Sequence, residues 1–87
     1  MATILLVEDE EDLRPLLQRM LEKIGHTVLV AENGEAGLKM FIEHLAEISA
    51  VLSDIDMPVM NGLEMAGAIL RISPPTRIVL ASNGDRE

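Results

Sequence analysis

Four oxygen-bearing residues stand where β-type runs end, and their types suit cation and phosphoryl chemistry. Glu8 and Asp9 follow Ile4-Leu5-Leu6-Val7, Asp54 follows Ala50-Val51-Leu52-Ser53, and Ser82 follows Ile78-Val79-Leu80-Ala81. In an open parallel sheet, ligands bind beyond the carboxyl ends of the strands. Three strand ends that each bring an oxygen ligand to one edge make a site for a hard cation and a phosphoryl group. The run Glu8-Asp9-Glu10-Glu11-Asp12 strengthens this reading. Five consecutive carboxylates repel one another unless a cation or solvent relieves them. Glu10, Glu11 and Asp12 also suit the positive start of a following helix. The run is therefore divided, with Glu8 and Asp9 assigned to the cation and the rest to the helix.

Alternating strands and helices must position these groups. Thr3 to Val7 reads as a buried strand. Leu13, Leu16, Leu17, Met20, Leu21 and Ile24 recur at helical spacing, with Pro15 tolerated in the first turn and Gly25 as the stop. Thr27 to Ala31 reads as the second strand, and Asn33-Gly34 as a turn and helix entry. Leu38, Phe41, Ile42 and Leu45 give the second helix its apolar face. Ala50 to Ser53 is the third strand, and Met57-Pro58 through Asn61-Gly62 is a loop shaped by its proline and glycine. Leu63, Ala66, Ile69 and Leu70 form a third helical face, Ser73-Pro74-Pro75 breaks it, and Arg77 to Ala81 is the fourth strand. The order βαβαβαβ predicts an α/β fold, a doubly wound parallel sheet with right-handed crossovers and helices on both faces.

Composition narrows the function classes. A chain of 87 residues supports one domain with a marginal core, and an apolar fraction of 48% excludes charge-driven disorder. No apolar run approaches the roughly 18 residues of a membrane span, and no basic start marks a secretory signal. There is no cysteine, so disulfides, thiolate metal sites and thiol nucleophiles are excluded. These features fit a cytoplasmic protein. A net charge of −8 predicts repulsion from a phosphate backbone, so no direct nucleic-acid contact is expected of this segment. His26 and His44 have no second ligand at metal spacing and read as structural or surface residues. The six methionines fall mostly on apolar faces and read as packing residues.

The chain resembles the receiver domain of two-component response regulators, which has a flavodoxin-like fold. The resemblance is carried by Glu8-Asp9 after the first strand, Asn33-Gly34 after the second, and Asp54-Ile55-Asp56-Met57-Pro58 with Gly62 after the third. Ser82 after the fourth strand completes it. Asp-x-x-Met-Pro alone is weak. It becomes specific with an acidic pair about 45 residues earlier and a hydroxyl about 28 later. The resemblance implies that Asp54 is the phosphoacceptor, forming an acyl phosphate. It implies Mg2+ bound by Asp9, Asp54 and the backbone carbonyl of Asp56, with Glu8 acting through water. It gives Ser82 the role of donating its hydroxyl to a phosphoryl oxygen and reporting phosphorylation. The implied partners are a histidine kinase or phosphotransfer protein and an effector domain or output protein.

The chain departs from the family at its end. A receiver continues with a fourth helix, a fifth strand ending in lysine, and a fifth helix, whereas this sequence stops at Glu87. The expectation is a partial receiver domain over residues 1–87 with no strand-end lysine, since Lys23 and Lys39 fall in predicted helices. The predicted sheet order is the available part of 2-1-3-4-5, with the fourth strand as a bare edge. An unpaired edge and an uncovered face beside the first helix predict self-association. Two other readings stay open. One is a Mg2+-dependent phosphohydrolase of the haloacid dehalogenase type, suggested by Asp54-Ile55-Asp56, although that family wants Thr or Val where Pro58 stands. The other is a truncated or engineered folding fragment without signalling activity.

Overall fold

A computed structural model describes residues 2–81. The elements follow in the order β1 (Thr3–Val7), α1 (Leu13–Ile24), β2 (Thr27–Ala31), α2 (Gly34–Glu43), β3 (Ile48–Asp54), α3 (Gly62–Ile72) and β4 (Arg77–Ala81). The strands form one parallel sheet in the order β2-β1-β3-β4. Among the described residues this is the four-strand, three-helix arrangement expected of a flavodoxin-like fold.

The bounds of β1, α1, β2 and β4 agree with the sequence reading. β3 is longer than predicted, because Ile48 already pairs with Thr3 ahead of a register shift. α2 begins at Gly34 because the Asn33 side chain caps it, accepting from the Ala36 backbone N–H at 2.7 Å. It ends at Glu43 with His44 as its C-cap, so Leu45 lies beyond the helix whose apolar face it was read into and is exposed.

Parallel strands in register send successive side chains to opposite faces. On one face Leu5, Val7, Ala31 and Val51 meet Phe41 of α2 and Met65 and Ile69 of α3 in a single cluster. Phe41, Met65 and Ile69 are fully buried. Burying each such side chain contributes about 1.5–3 kcal/mol. The second face carries α1, packed over β1 and β2. No α1 residue is fully buried, and Leu16, Met20 and Ile24 are exposed. Helical spacing puts these three on the apolar side of α1, and Met20, which reads as a packing methionine, is instead mostly solvated. The period of α1 defines an apolar side correctly, but the sheet covers only part of it.

Candidate metal and phosphoryl site

The site lies where β1 and β3 end side by side. Val7 pairs with Ser53, so the residues that follow, Glu8 and Asp9 on one strand and Asp54 on the other, emerge together. Each of the three offers a carboxylate oxygen, and these oxygens lie within 4.8 Å of one another. Glu8 is buried, whereas Asp9 and Asp54 are half-buried.

Backbone contacts fix this corner. The Glu8 backbone N–H donates to the Ala31 carbonyl at 3.1 Å, which ties the end of β1 to β2. The Ile55 N–H donates to the Ala81 carbonyl at 2.9 Å, which ties the end of β3 to β4. The buried Ser53 hydroxyl donates to the Asp54 carbonyl at 2.8 Å. The Asp56 N–H lies 3.2 Å from Asp54 Oδ1 and orients that carboxylate.

The charges are strained in the way a cation would relieve. Burial, followed by repulsion from Asp54, Asp9 and Glu10, pushes the Glu8 carboxyl above its ordinary range. The Glu10 backbone N–H opposes this by donating to Glu8 Oε2 at 3.2 Å. Arg14 adds a positive group nearby, but it donates to the Glu8 carbonyl at 2.7 Å rather than to a carboxylate. The three oxygens thus fit a hard divalent cation in ligand type, spacing and unrelieved charge.

The β3–α3 loop owes its shape to two glycines. A Cβ on Gly62 would collide with the Asp54 carbonyl and the Ile55 Cα, so only glycine lets α3 start this close to the acceptor strand. A Cβ on Gly34 would collide with the Met60 carbonyl, which locks the start of α2 to the same loop. The role of Gly62 is therefore close approach, not the turning freedom assigned to it from sequence. Between the two contacts, Met60 N–H donates to the Pro58 carbonyl at 2.8 Å around Val59, whose φ is 72°. That is a γ-turn of the strained kind, held here by a β-branched residue. Asn61 then caps α3 in a reciprocal capping box with Glu64, at 2.9 and 3.0 Å.

The structure thus brings Glu8, Asp9 and Asp54 together. The Asp56 carboxylate is not part of that group, and the role given to Asp56 involves its main-chain carbonyl. Ser82, with Asn83 and Gly84, lies outside the described residues. Arg14, the contact of Gly34 with Met60 and the Asn61–Glu64 box are not foreseen from the sequence. Only the box had a readable signal, Asn-x-x-Glu before an apolar run.

Residues 4–87 match the family model of the response regulator receiver domain. The chain is 39% identical over 87 residues to the autoinducer 1 sensor kinase/phosphatase LuxN of Vibrio campbellii, covering 98% of this chain and 10% of LuxN. Its fold superimposes on a response regulator receiver domain protein from Clostridium thermocellum with a TM-score of 0.92 and 30% identity, covering 98% of this chain and 68% of that one. It is also similar to TrrA of Thermotoga maritima in complex with Mg(2+)-BeF. That match has 37% identity and a TM-score of 0.87 and covers 98% of this chain and 76% of TrrA. A second TrrA structure, in complex with the histidine kinase ThkA, matches at the same identity and TM-score over 99% of this chain and 72% of TrrA. The chain belongs to the response regulator receiver domain family, a family of two-component signalling domains rather than classical enzymes. The match removes the support for a haloacid dehalogenase. Among the described residues, no helix is long and apolar enough to cross a membrane.

Proposed function

We propose that this chain is a phosphoacceptor: Asp54 receives a phosphoryl group from the phosphohistidine of a histidine kinase or phosphotransfer protein. The observation that carries this reading is the convergence of the Glu8, Asp9 and Asp54 carboxylates at two adjacent strand ends. The complexes of TrrA with Mg(2+)-BeF and with a histidine kinase support it by similarity. Asp9, Asp54 and the Asp56 carbonyl would hold Mg2+, with Glu8 acting through water. When bound, Mg2+ neutralises charge on the carboxylates and the incoming phosphoryl group. A carboxylate oxygen of Asp54 forms the new bond to phosphorus while the phosphorus–nitrogen bond of the donor breaks, leaving an acyl phosphate and a free imidazole. Ser82 donates its hydroxyl to a phosphoryl oxygen and reports the modification. In this role the chain assists its own phosphorylation and dephosphorylation without being a turnover enzyme. The setting is the cytoplasm, and an effector domain or output protein reads the result. The outermost strand β4 and the half-covered α1 face favour self-association.

The test is intact-mass spectrometry under mild conditions after incubation with a small acyl phosphate. A gain of one phosphoryl group is expected, dependent on Mg2+ and abolished by Asp54→Asn. Ser82→Ala should weaken the change that follows more than the transfer itself. A phosphoryl group on Ser82 or another side chain counts against the assignment, and so does sustained turnover of a phosphate ester.

A further inference from the structure

The acidic run that carries Glu8 and Asp9 turns into α1 with little help from its own side chains. Asp12 stands at the N-cap of α1, but its carboxylate makes no capping hydrogen bond. Arg14 closes the turn instead. Its backbone N–H donates to the Glu10 carbonyl at 3.0 Å. Its guanidinium reaches back six residues and donates to the Glu8 carbonyl at 2.7 Å. A hydrogen bond from a charged donor is among the stronger ones in a protein. Neighbouring carboxylates push such a segment apart unless something holds it.

The guanidinium grips Glu8 from the side away from Asp54. β1 lies between β2 and β3. Arg14 lines a depression with Val30, Ala31 and Glu32 at the end of β2, whereas Asp54 ends β3. The Glu8 N–H is held on the β2 side as well, by the Ala31 carbonyl. The Glu8 carbonyl and the Asp9 N–H share one planar peptide unit. Fixing that carbonyl therefore sets where both acidic side chains start. The charge of Arg14 acts the other way, because a positive group near a divalent cation repels it. Contact and charge thus predict opposite effects of removing Arg14 on metal binding.

We infer that Arg14 is a positioning residue for the cation site: by holding the Glu8 carbonyl it presets the Glu8–Asp9 pair for Mg2+, and this outweighs its repulsion of the metal. The inference rests on the phosphoacceptor reading for the identity of the metal.

Calorimetric titration of the full chain with Mg2+ tests it. Arg14→Met keeps the apolar stem and drops the donor. It should bind Mg2+ about tenfold more weakly, as when a group that orients a metal ligand is removed. Arg14→Lys keeps the charge and a donor on a shorter stem, and should lose about threefold. Arg19→Met removes the same charge from an exposed site on the same helix and should bind at least as tightly as the parent. Without metal, the Asp9 and Glu10 amides should exchange faster in Arg14→Met, while α2 and α3 stay as protected as in the parent. A lysine or methionine variant that binds Mg2+ as well as the parent, or better, overturns the role of Arg14 and leaves the metal site standing. Unchanged exchange at Asp9 and Glu10 does the same. A parent that takes up no Mg2+ overturns the site and the role together.

Discussion

The two faces of the sheet are built to different degrees. On one, α2 and α3 close over β1 and β3, and Phe41, Met65 and Ile69 lose all contact with solvent. On the other, α1 stands over β1 and β2 and helps to bury Leu6, but has no fully buried residue of its own, and Leu16, Met20 and Val79 stay exposed. The closed face supplies most of the apolar burial that holds the fold. The open face leaves more of its apolar surface exposed. The acidic corner lies at the carboxyl end of β1 and β3, the strands shared by both faces. The closed face therefore fixes it through the β3–α3 loop, while Glu8, Asp54 and Ala81 border the groove on the open face.

The largest expected effect separates the two faces directly. Phe41→Ala should cost about 3–5 kcal/mol, through lost burial and the cavity left behind. Met20→Ala should stay within about 0.5 kcal/mol under monomeric conditions, because the side chain is mostly solvated. Urea unfolding of both variants at low concentration checks this. Similar costs at the two positions would show that α1 shares the core.

A smaller effect tests whether the loop belongs to the closed face. Asn61→Ala removes one half of the capping box and leaves the Glu64 backbone N–H without its acceptor. It should cost about 1 kcal/mol. Amide exchange should quicken in the first turn of α3 and in the loop back to Asp54, while α1 stays unchanged.

For the corner itself the direction with pH is informative. Because the Glu8 carboxyl is raised in the folded state, folding retains a proton that the unfolded chain has released. Stability should therefore fall as pH rises from the ordinary carboxylate range through the raised value. Without metal, Glu8→Gln should flatten that decline. Chemical denaturation from pH 4 to 8 in a chelating buffer measures it, and an equally steep decline in the variant would remove Glu8 as its source.

What was legible in the sequence follows from which forces are local. β1, α1, β2 and β4 are short periodic runs bounded by Gly, Pro or charge, and their limits could be read from spacing. Glu8, Asp9 and Asp54 could be placed together because a parallel sheet brings its carboxyl ends to one edge, whatever the detailed packing. Gly34 and Gly62 could not be understood this way. Their importance comes from backbone atoms of Met60 and Asp54, distant in sequence or brought close by the loop. Nor does the period of α1 say how much of its apolar side the sheet covers. That depends on the position of α1 over β1 and β2, which leaves Leu16 and Met20 beyond the sheet's cover.

The central claim is that three carboxylates from two strand ends act as one cation site. Melting curves with and without Mg2+, on the parent and on Asp9→Asn and Asp54→Asn, test it most directly. Metal at one hundred times its dissociation constant should stabilise the parent by about 2.7 kcal/mol. Each variant should be less dependent on metal, because removing one carboxylate both relieves the repulsion and deletes a ligand. A parent whose melting temperature ignores millimolar Mg2+ would contradict the claim, as would a larger metal shift in either variant than in the parent.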